Sequence, residues 1–297
     1  MPTKAGYMAI IGKPNVGKST LMNAAIGAKL SIVTDKPQTT RKRVLGISTR
    51  NDTQIVFVDT PGILKPRYEM QRSMMGYVSE ALETADAITV MIDAPKIDRG
   101  EKILPDEVLE TLIKLPQSKI LLINKIDEFK DVKLSLPIIQ SAAQLSLFQE
   151  ILPVSALKGV NVDKYLQIAE SIMPEGEFYY DPEILSSQPE RFFTSELIRE
   201  QVFQMFSEEV PYSTEVSILE FKERAAGKWF IHAEIIVEKD TQKAIILGKG
   251  GVKIKELGER ARRALENHFE LPVYLELFVK VREKWRSKPG MLKSFGY

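Results

Sequence analysis

The sequence predicts an α/β domain with a mostly parallel sheet, followed by a smaller α+β domain of order α-β-β-α-α-β. Three observations lead there. In the first half, apolar runs such as "YMAII", "DAITVMIDA", "KILLINK" and "ILPVSA" alternate with helical patterns at the spacing of βα units. That rhythm breaks at "MPEGEFYYDPEILSSQPE", whose prolines and acidic residues read as a linker. Beyond it the order of elements changes and no repeat of the first domain is found. The resulting division is a first domain over 1–173, a linker over 174–190 and a second domain over 191–297 that ends in a basic tail.

Each element has its own signal. "YMAII" runs straight into a glycine loop and then a helical stretch. Val44 to Thr49 and Gln54 to Asp59 flank the turn "RND" and predict an antiparallel pair on the otherwise parallel sheet. In the second domain a helix is expected over "ERFFTSELIREQVFQMF", then strands "STEVSILEFKER" and "KWFIHAEIIVE" joined by "AAG". Ile254, Leu257, Ala261, Ala264, Leu265 and Phe269 recur at three-and-four spacing, which gives a long helix one apolar face before the strand "PVYLELFVKV".

Composition narrows the function. A chain of 297 residues, 44% hydrophobic and 27% charged, reads as a soluble globular protein of two domains. No apolar run approaches the roughly 18 residues needed to cross a bilayer. The N-terminus lacks a secretory h-region, so a cytoplasmic protein is expected. With no cysteine and two histidines, disulfides and thiolate metal sites are excluded and any metal should be a hard, oxygen-bound ion. The net charge of +1 hides an uneven distribution. Lys243, Lys249, Lys253, Lys255, Arg260, Arg262 and Arg263 face only Glu256 and Glu259, and "KVREKWRSKPG" continues the excess, which suggests a polyanion surface or simply a solvated helix face.

"GKPNVGKST" (Gly12, Lys13, Pro14, Asn15, Val16, Gly17, Lys18, Ser19, Thr20) fits G-x-x-x-x-G-K-[ST] between a strand and a helix. Backbone N–H groups would cradle the β-phosphate, Lys18 would neutralise the β- and γ-phosphates, and Ser19 would bind Mg²⁺. This loop serves ATP and GTP alike, and kinases also carry it. "NKID" (Asn124, Lys125, Asp127) selects guanine: a carboxylate at Asp127 accepts from N1–H and the exocyclic amine, neither of which adenine offers. Asn124 would orient the segment and the stem of Lys125 would lie along the base. In "SAL" (Ser155, Ala156, Leu157) the Ala156 N–H could meet guanine O6. Competition between ATP and GTP separates this reading from a phosphotransferase.

Between these lies "DTPG", where Asp59 would hold the Mg²⁺ water shell and the Gly62 N–H would sense the γ-phosphate. "PQTTRKR" supplies Thr39 and Thr40; one should complete the Mg²⁺ site and be released after hydrolysis, and Thr40 is favoured. In order, these pieces resemble the five guanine-nucleotide motifs of the translation-factor-related GTPases over roughly residues 7 to 170. Where Ras-like members place a water-orienting glutamine after D-x-x-G, this chain has Ile63, which can neither donate nor accept, so slow intrinsic hydrolysis is expected. Asn15 is similar to the asparagine that binds K⁺ in related GTPases, so Lys18, Thr40, Gly62 and Asn15 are the candidate catalytic groups; the K⁺ reading is dropped if Na⁺ supports the same turnover.

"AIILGKGGVKIKEL" holds the last motif. It is no second Walker loop, because two residues separate Gly248 from Gly251 and no Lys-Ser/Thr follows. An isolated G-x-x-G is usually a helix-ending glycine and a turn. Inside α-β-β-α-α-β, however, "GKGG" resembles the loop of a prokaryotic-type KH domain over about residues 190 to 285. The resemblance implies a backbone turn (Gly248, Lys249, Gly250, Gly251) that approaches about four unpaired nucleotides, with Lys249 and Lys253 on phosphates. Ile245 and Ile254, with Ile246 and Ile235, are candidates for the base-facing groove.

Taken together, "GKPNVGKS", "PQTTR", "DTPG", "NKID", "SAL", "ILGKGG" and the ending "LKSFGY" resemble the bacterial Era family over nearly the whole chain. That resemblance implies a Mg²⁺-dependent GTP hydrolase that binds the 3′ end of 16S ribosomal RNA and assists small-subunit assembly, with GTP favouring the RNA-competent arrangement. A monomer is the default. The alternative is a GTPase acting in RNA modification, or at the inner face of the membrane through its C-terminal domain; peripheral membrane contact is a family trait. The basic tail would add RNA affinity that weakens with salt.

Overall fold

The computed structural model describes residues 2–224 and 227–297, so the "AA" of the expected "AAG" connection lies outside the described residues. The chain forms two compact units. One comprises residues 1–31, 40–65 and 74–187; the other comprises 188–297 together with two segments from the first half, 32–39 and 66–73.

The first unit is built on a six-stranded sheet of order β2-β3-β1-β4-β5-β6. Its strands are β1 (Lys4–Gly12), β2 (Val44–Arg50), β3 (Thr53–Asp59), β4 (Ala87–Asp93), β5 (Ser118–Asn124) and β6 (Glu150–Pro153). Four neighbouring pairs run parallel, and β2 alone pairs antiparallel with β3, Val44 opposite Asp59, as the short turn "RND" requires. Every residue of β4 and all but the first of β5 are buried, the pattern of central strands covered on both faces. The connecting helices are α1 (Lys18–Ile26), α2 (Glu69–Thr84), the short α3 (Ala94–Asp98), α4 (Asp106–Lys114), α5 (Leu136–Ala143) and α6 (Val162–Ile172). Register brings Gly12 level with Met91 and Asp93 level with Asn124, so the carboxyl ends of adjacent strands present the motif residues along one edge of the sheet.

The stretch read as linker is ordered along this unit as far as residue 187. Fully buried Gln54 holds it: Oε1 accepts from the N–H groups of Tyr179 (2.9 Å) and Tyr180 (3.0 Å), and Nε2 donates to the Tyr180 carbonyl (2.9 Å).

The second unit contains α7 (Glu190–Met205), α8 (Glu209–Ser213), β7 (Glu215–Lys222), β8 (Trp229–Val237), α9 (Asp240–Leu247), α10 (Val252–Phe269), β9 (Val273–Val281) and α11 (Pro289–Ser294). The expected α-β-β-α-α-β order is present, with α8 and α11 added. β8 lies centrally, antiparallel to β7 and parallel to β9. Its inward residues Ile231, Ala233, Ile235 and Val237 meet Leu257, Ala261 and Leu265 of α10 in one core. The tail folds back as structure: Trp285 is fully buried, its indole N–H donates to the Ser213 carbonyl (2.8 Å), and its ring packs on Phe295 and Tyr297.

Candidate functional site

The P-loop turns from β1 into α1 through residues whose backbone leaves no room for side chains. At Gly17 (φ 103°) a Cβ would stand 2.2 Å from the Asn124 amide nitrogen, and at Gly62 one would stand 2.6 Å from the Pro14 nitrogen. The Asn124 side chain joins two distant motifs: Nδ2 donates to the Val16 carbonyl (2.6 Å) and Oδ1 accepts the Ala156 N–H (3.0 Å). The N–H read as a donor to guanine O6 is thus given to Asn124, which fixes "SAL" beside "NKID". Ser155 is fully buried and supports the same turn, accepting from the Lys158 N–H (3.1 Å), while Leu157 is exposed. Asp127 is exposed on a one-turn 3-10 helix, Ile126–Glu128, open to a base edge.

Lys18 is buried within the loop, with Nζ 3.2 Å from the carbonyls of Gly12 and Lys13. Desolvation draws its ammonium down to about 8, with Asp59 opposing the shift. Close by, Ser19 Oγ donates to Asp59 Oδ2 (2.7 Å) and lies 2.9 Å from Thr40 Oγ1. Ser31, which no motif pointed to, donates to the same Asp59 oxygen (2.9 Å). Burial raises the Asp59 carboxyl above its ordinary range, countered by the Lys18 charge and by hydroxyls of Ser19, Ser31 and Thr40. The other oxygen, Oδ1, is buried without a hydrogen-bond partner among the described residues. Two hydroxyls and a carboxylate with an orphaned oxygen form a hard-oxygen donor set that fits Mg²⁺.

The two threonines of "PQTTR" differ in direction. Thr40 faces Ser19, whereas Thr39 Oγ1 lies 2.6 Å from Thr34 Oγ1 and donates to the Lys36 carbonyl (2.6 Å). The Ile63 N–H donates to the Gly12 carbonyl (3.0 Å) and its side chain packs in the apolar cluster of Val90, Ile92 and Leu104. Asn15 adopts a left-handed backbone conformation (φ 62°) at the crown of the loop. Sequence reasoning missed Asp93, which accepts from Lys125 Nζ at 2.6 Å and caps α3 through the Lys96 N–H at 3.2 Å. Its signal was available: a carboxylate at the end of the strand beside "NKID".

In the second unit α9 ends at Gly248, Lys249–Gly251 make one 3-10 turn, and α10 begins at Val252. Gly250 (φ 62°) and Gly251 (φ 79°) both require the left-handed region that side chains resist. Lys249 and Lys253 are exposed, Ile245 is 45% exposed and Ile254 is half-buried against the core. Ile235 and Ile246 need correction: both are fully buried, because strand alternation turns Ile235 toward the helices and Ile246 sits on the inner face of α9. A groove of Met205, Phe206, Lys239, Gln242, Ile245 and Lys253 runs beside the turn. Part of the basic excess is neutralised within the fold: Arg260 pairs with Glu256 (2.7 Å), Arg262 with Glu266 (2.9 Å), Lys280 with Glu234 (3.2 Å) and Arg286 with Glu238 (2.5 Å).

A phosphate cradle with a guanine-selective strand end, followed by a glycine-lysine turn between helices over a three-stranded sheet, defines a P-loop GTPase joined to a KH-type domain. The family description "50S ribosome-binding GTPase" matches residues 7–125, and the KH domain description matches residues 209–286. Two solved structures are each 42% identical to this chain, cover 99% of both chains and superpose with a TM-score of 0.94. One is a variant of Era from Aquifex aeolicus bound to GDP and AlF4⁻; the other is Era in complex with MgGDPNP and nucleotides 1506–1542 of 16S ribosomal RNA. The chain belongs to the Era family of GTPases. Among the described residues no helix is long and apolar enough to cross a membrane.

Proposed function

We propose that this protein hydrolyses GTP, binds the 3′ end of 16S ribosomal RNA through the "GKGG" groove, and assists small-subunit assembly as a switch set by GTP and GDP. The observation that carries this reading is the Era complex with MgGDPNP and nucleotides 1506–1542 of 16S ribosomal RNA, similar to this chain over 99% of both lengths.

Asp127 selects guanine, Asn124 ties the base-side segment to the P-loop, and Lys18 places a charge against the terminal phosphates. Ser19, Thr40 and Asp59 would hold Mg²⁺, which when bound neutralises charge on the β- and γ-phosphates. The hydroxyl of Thr40, directed at Ser19, supports Thr40 over Thr39 in this role. Gly62 lies close against Pro14 of the loop, and its N–H would sense the γ-phosphate there; Asn15 is the position through which K⁺ would act. Ile63, held in an apolar cluster, orients no water, so intrinsic turnover is slow.

The test is titration of a single-stranded RNA copying the 3′ end of the small-subunit ribosomal RNA, with GDPNP and with GDP. Sequence-selective binding that GDPNP strengthens is expected. Weak binding that follows salt alone and ignores the nucleotide sinks the proposal.

A further inference from the structure

The segment 32–39 precedes Thr40 in the chain, yet it belongs to the compact unit that carries the "GKGG" turn. Four hydrogen bonds tie it to α7 and its C-cap. Lys36 Nζ donates to the carbonyls of Phe203 and Phe206 at the C-terminal end of that helix. Arg199 Nη2 donates to the Thr39 carbonyl (2.6 Å), while Nε and Nη2 also donate to the Glu196 carboxylate. Glu200 accepts from the Val33 N–H (3.2 Å).

These contacts are demanding. The last carbonyls of a helix have no partner within it, and an ammonium there also meets the negative end of the helix dipole. The Arg199 side chain is 1% exposed, and its Nη1 has no hydrogen-bond partner among the described residues, so the Thr39 carbonyl is one of few acceptors that the buried guanidinium possesses. Withdrawing 32–39 would strip an acceptor from a buried cation and the Lys36 ammonium from the end of α7, so that end should not keep its position unchanged.

That end reaches the groove. Phe206, whose carbonyl Lys36 holds, carries Lys253 Nζ 5.8 Å from its ring centroid. Lys253 also packs under the turn: a Cβ at Gly248 would be 2.8 Å from Lys253 Cγ. Met205 and Phe206 line the groove together with Ile245 and Lys253.

We propose that Lys36 and Arg199 are positioning residues that couple the nucleotide to the RNA groove. The path runs from Thr40 through the 32–39 segment to the end of α7, then through Phe206 to Lys253 beside "GKGG". Lys36 is its half-buried and testable member. This inference rests on the reading above, in which Thr40 answers to the nucleotide and the groove takes RNA. It adds which side chains carry the message.

The experiment titrates the same single-stranded RNA into the full-length protein and into Lys36→Met, which keeps the aliphatic stem and loses the charge, each with GDPNP and with GDP. Melting temperature and GDP affinity report whether the variant is folded. Lys36→Met is expected to match the wild-type RNA affinity in GDP and to lose most of the strengthening by GDPNP, the ratio of the two affinities falling toward one. Lys36→Arg, which keeps a cation on the carbonyls, should retain most of the ratio. A wild-type ratio preserved in Lys36→Met overturns the coupling role and leaves the proposed function standing. A wild-type protein with no GDPNP effect on RNA binding overturns both.

Discussion

At the level of single residues, the buried Lys18 makes nucleotide affinity depend on pH. Burial brings its ammonium down to about 8 in the free protein, whereas in an unfolded chain it would titrate near its ordinary value. Free-protein stability is therefore lowest below about pH 8 and rises as pH climbs between the folded and unfolded values, because there the unfolded chain binds more protons. Bound phosphates hold the lysine charged, so above pH 8 nucleotide binding must take up a proton. GDP affinity should fall roughly tenfold from pH 7 to pH 9. Fluorescence titration of a labelled GDP across that range measures it. Lys18→Arg, charged throughout, should retain only the slope that the nucleotide itself contributes, and an identical slope in both proteins would refute the assignment to Lys18. Lys18 was legible in the sequence because its motif is local. Ser31 on Asp59, Asp93 on Lys125 and Arg199 on Thr39 were not, since each acts on a residue far along the chain and no short pattern marks it.

At the level of elements, periodicity and turn chemistry were legible: six strands of the first sheet, the antiparallel pair at its edge, and the helix-turn-helix around "GKGG" fall where the pattern puts them. The C-terminal segment was read by charge alone, and charge was the weaker guide. Its lysines and arginines surround Trp285, whose burial depends on Ser213, Phe295 and Tyr297, residues that sequence spacing cannot bring together. The Tyr297 hydroxyl also donates to buried Glu215 at 2.6 Å. Much of the tail is thus a structural lock on α8 and β7. Trp285→Ala should lower the stability of the second unit by about 3–5 kcal/mol, the usual cost of a large aromatic removed from a core. Denaturant unfolding followed through the remaining tryptophan, Trp229, measures the loss, with GDP affinity unchanged. A variant as stable as the parent would return the tail to the role of a solvated basic arm. Gly250→Asp probes the neighbouring turn: a carboxylate there opposes the phosphates and forces a side chain to φ 62°, so RNA affinity should fall more than tenfold while GDP affinity holds.

At the level of the whole molecule, a switch is a statement about free energies. If GDPNP tightens RNA binding by some factor, RNA must tighten GDPNP binding by the same factor, and for allosteric pairs that factor is typically about 5–150. The sequence could show that the chain holds both a nucleotide motif and a KH-type turn, but not that they communicate. The coupling proposed above runs through the 32–39 segment, which sequence order assigns to the first half and compactness assigns to the second unit. Two titrations, RNA into protein saturated with GDPNP or with GDP, and each nucleotide into protein with and without RNA, close a thermodynamic cycle. The ratio between nucleotides should agree in both directions, and under Lys36→Met both should shrink together. A factor present in one direction and absent in the other would show that a second RNA molecule contributes to one titration. A factor of one in both would mean that the protein binds its two ligands independently, and no switch would remain to explain.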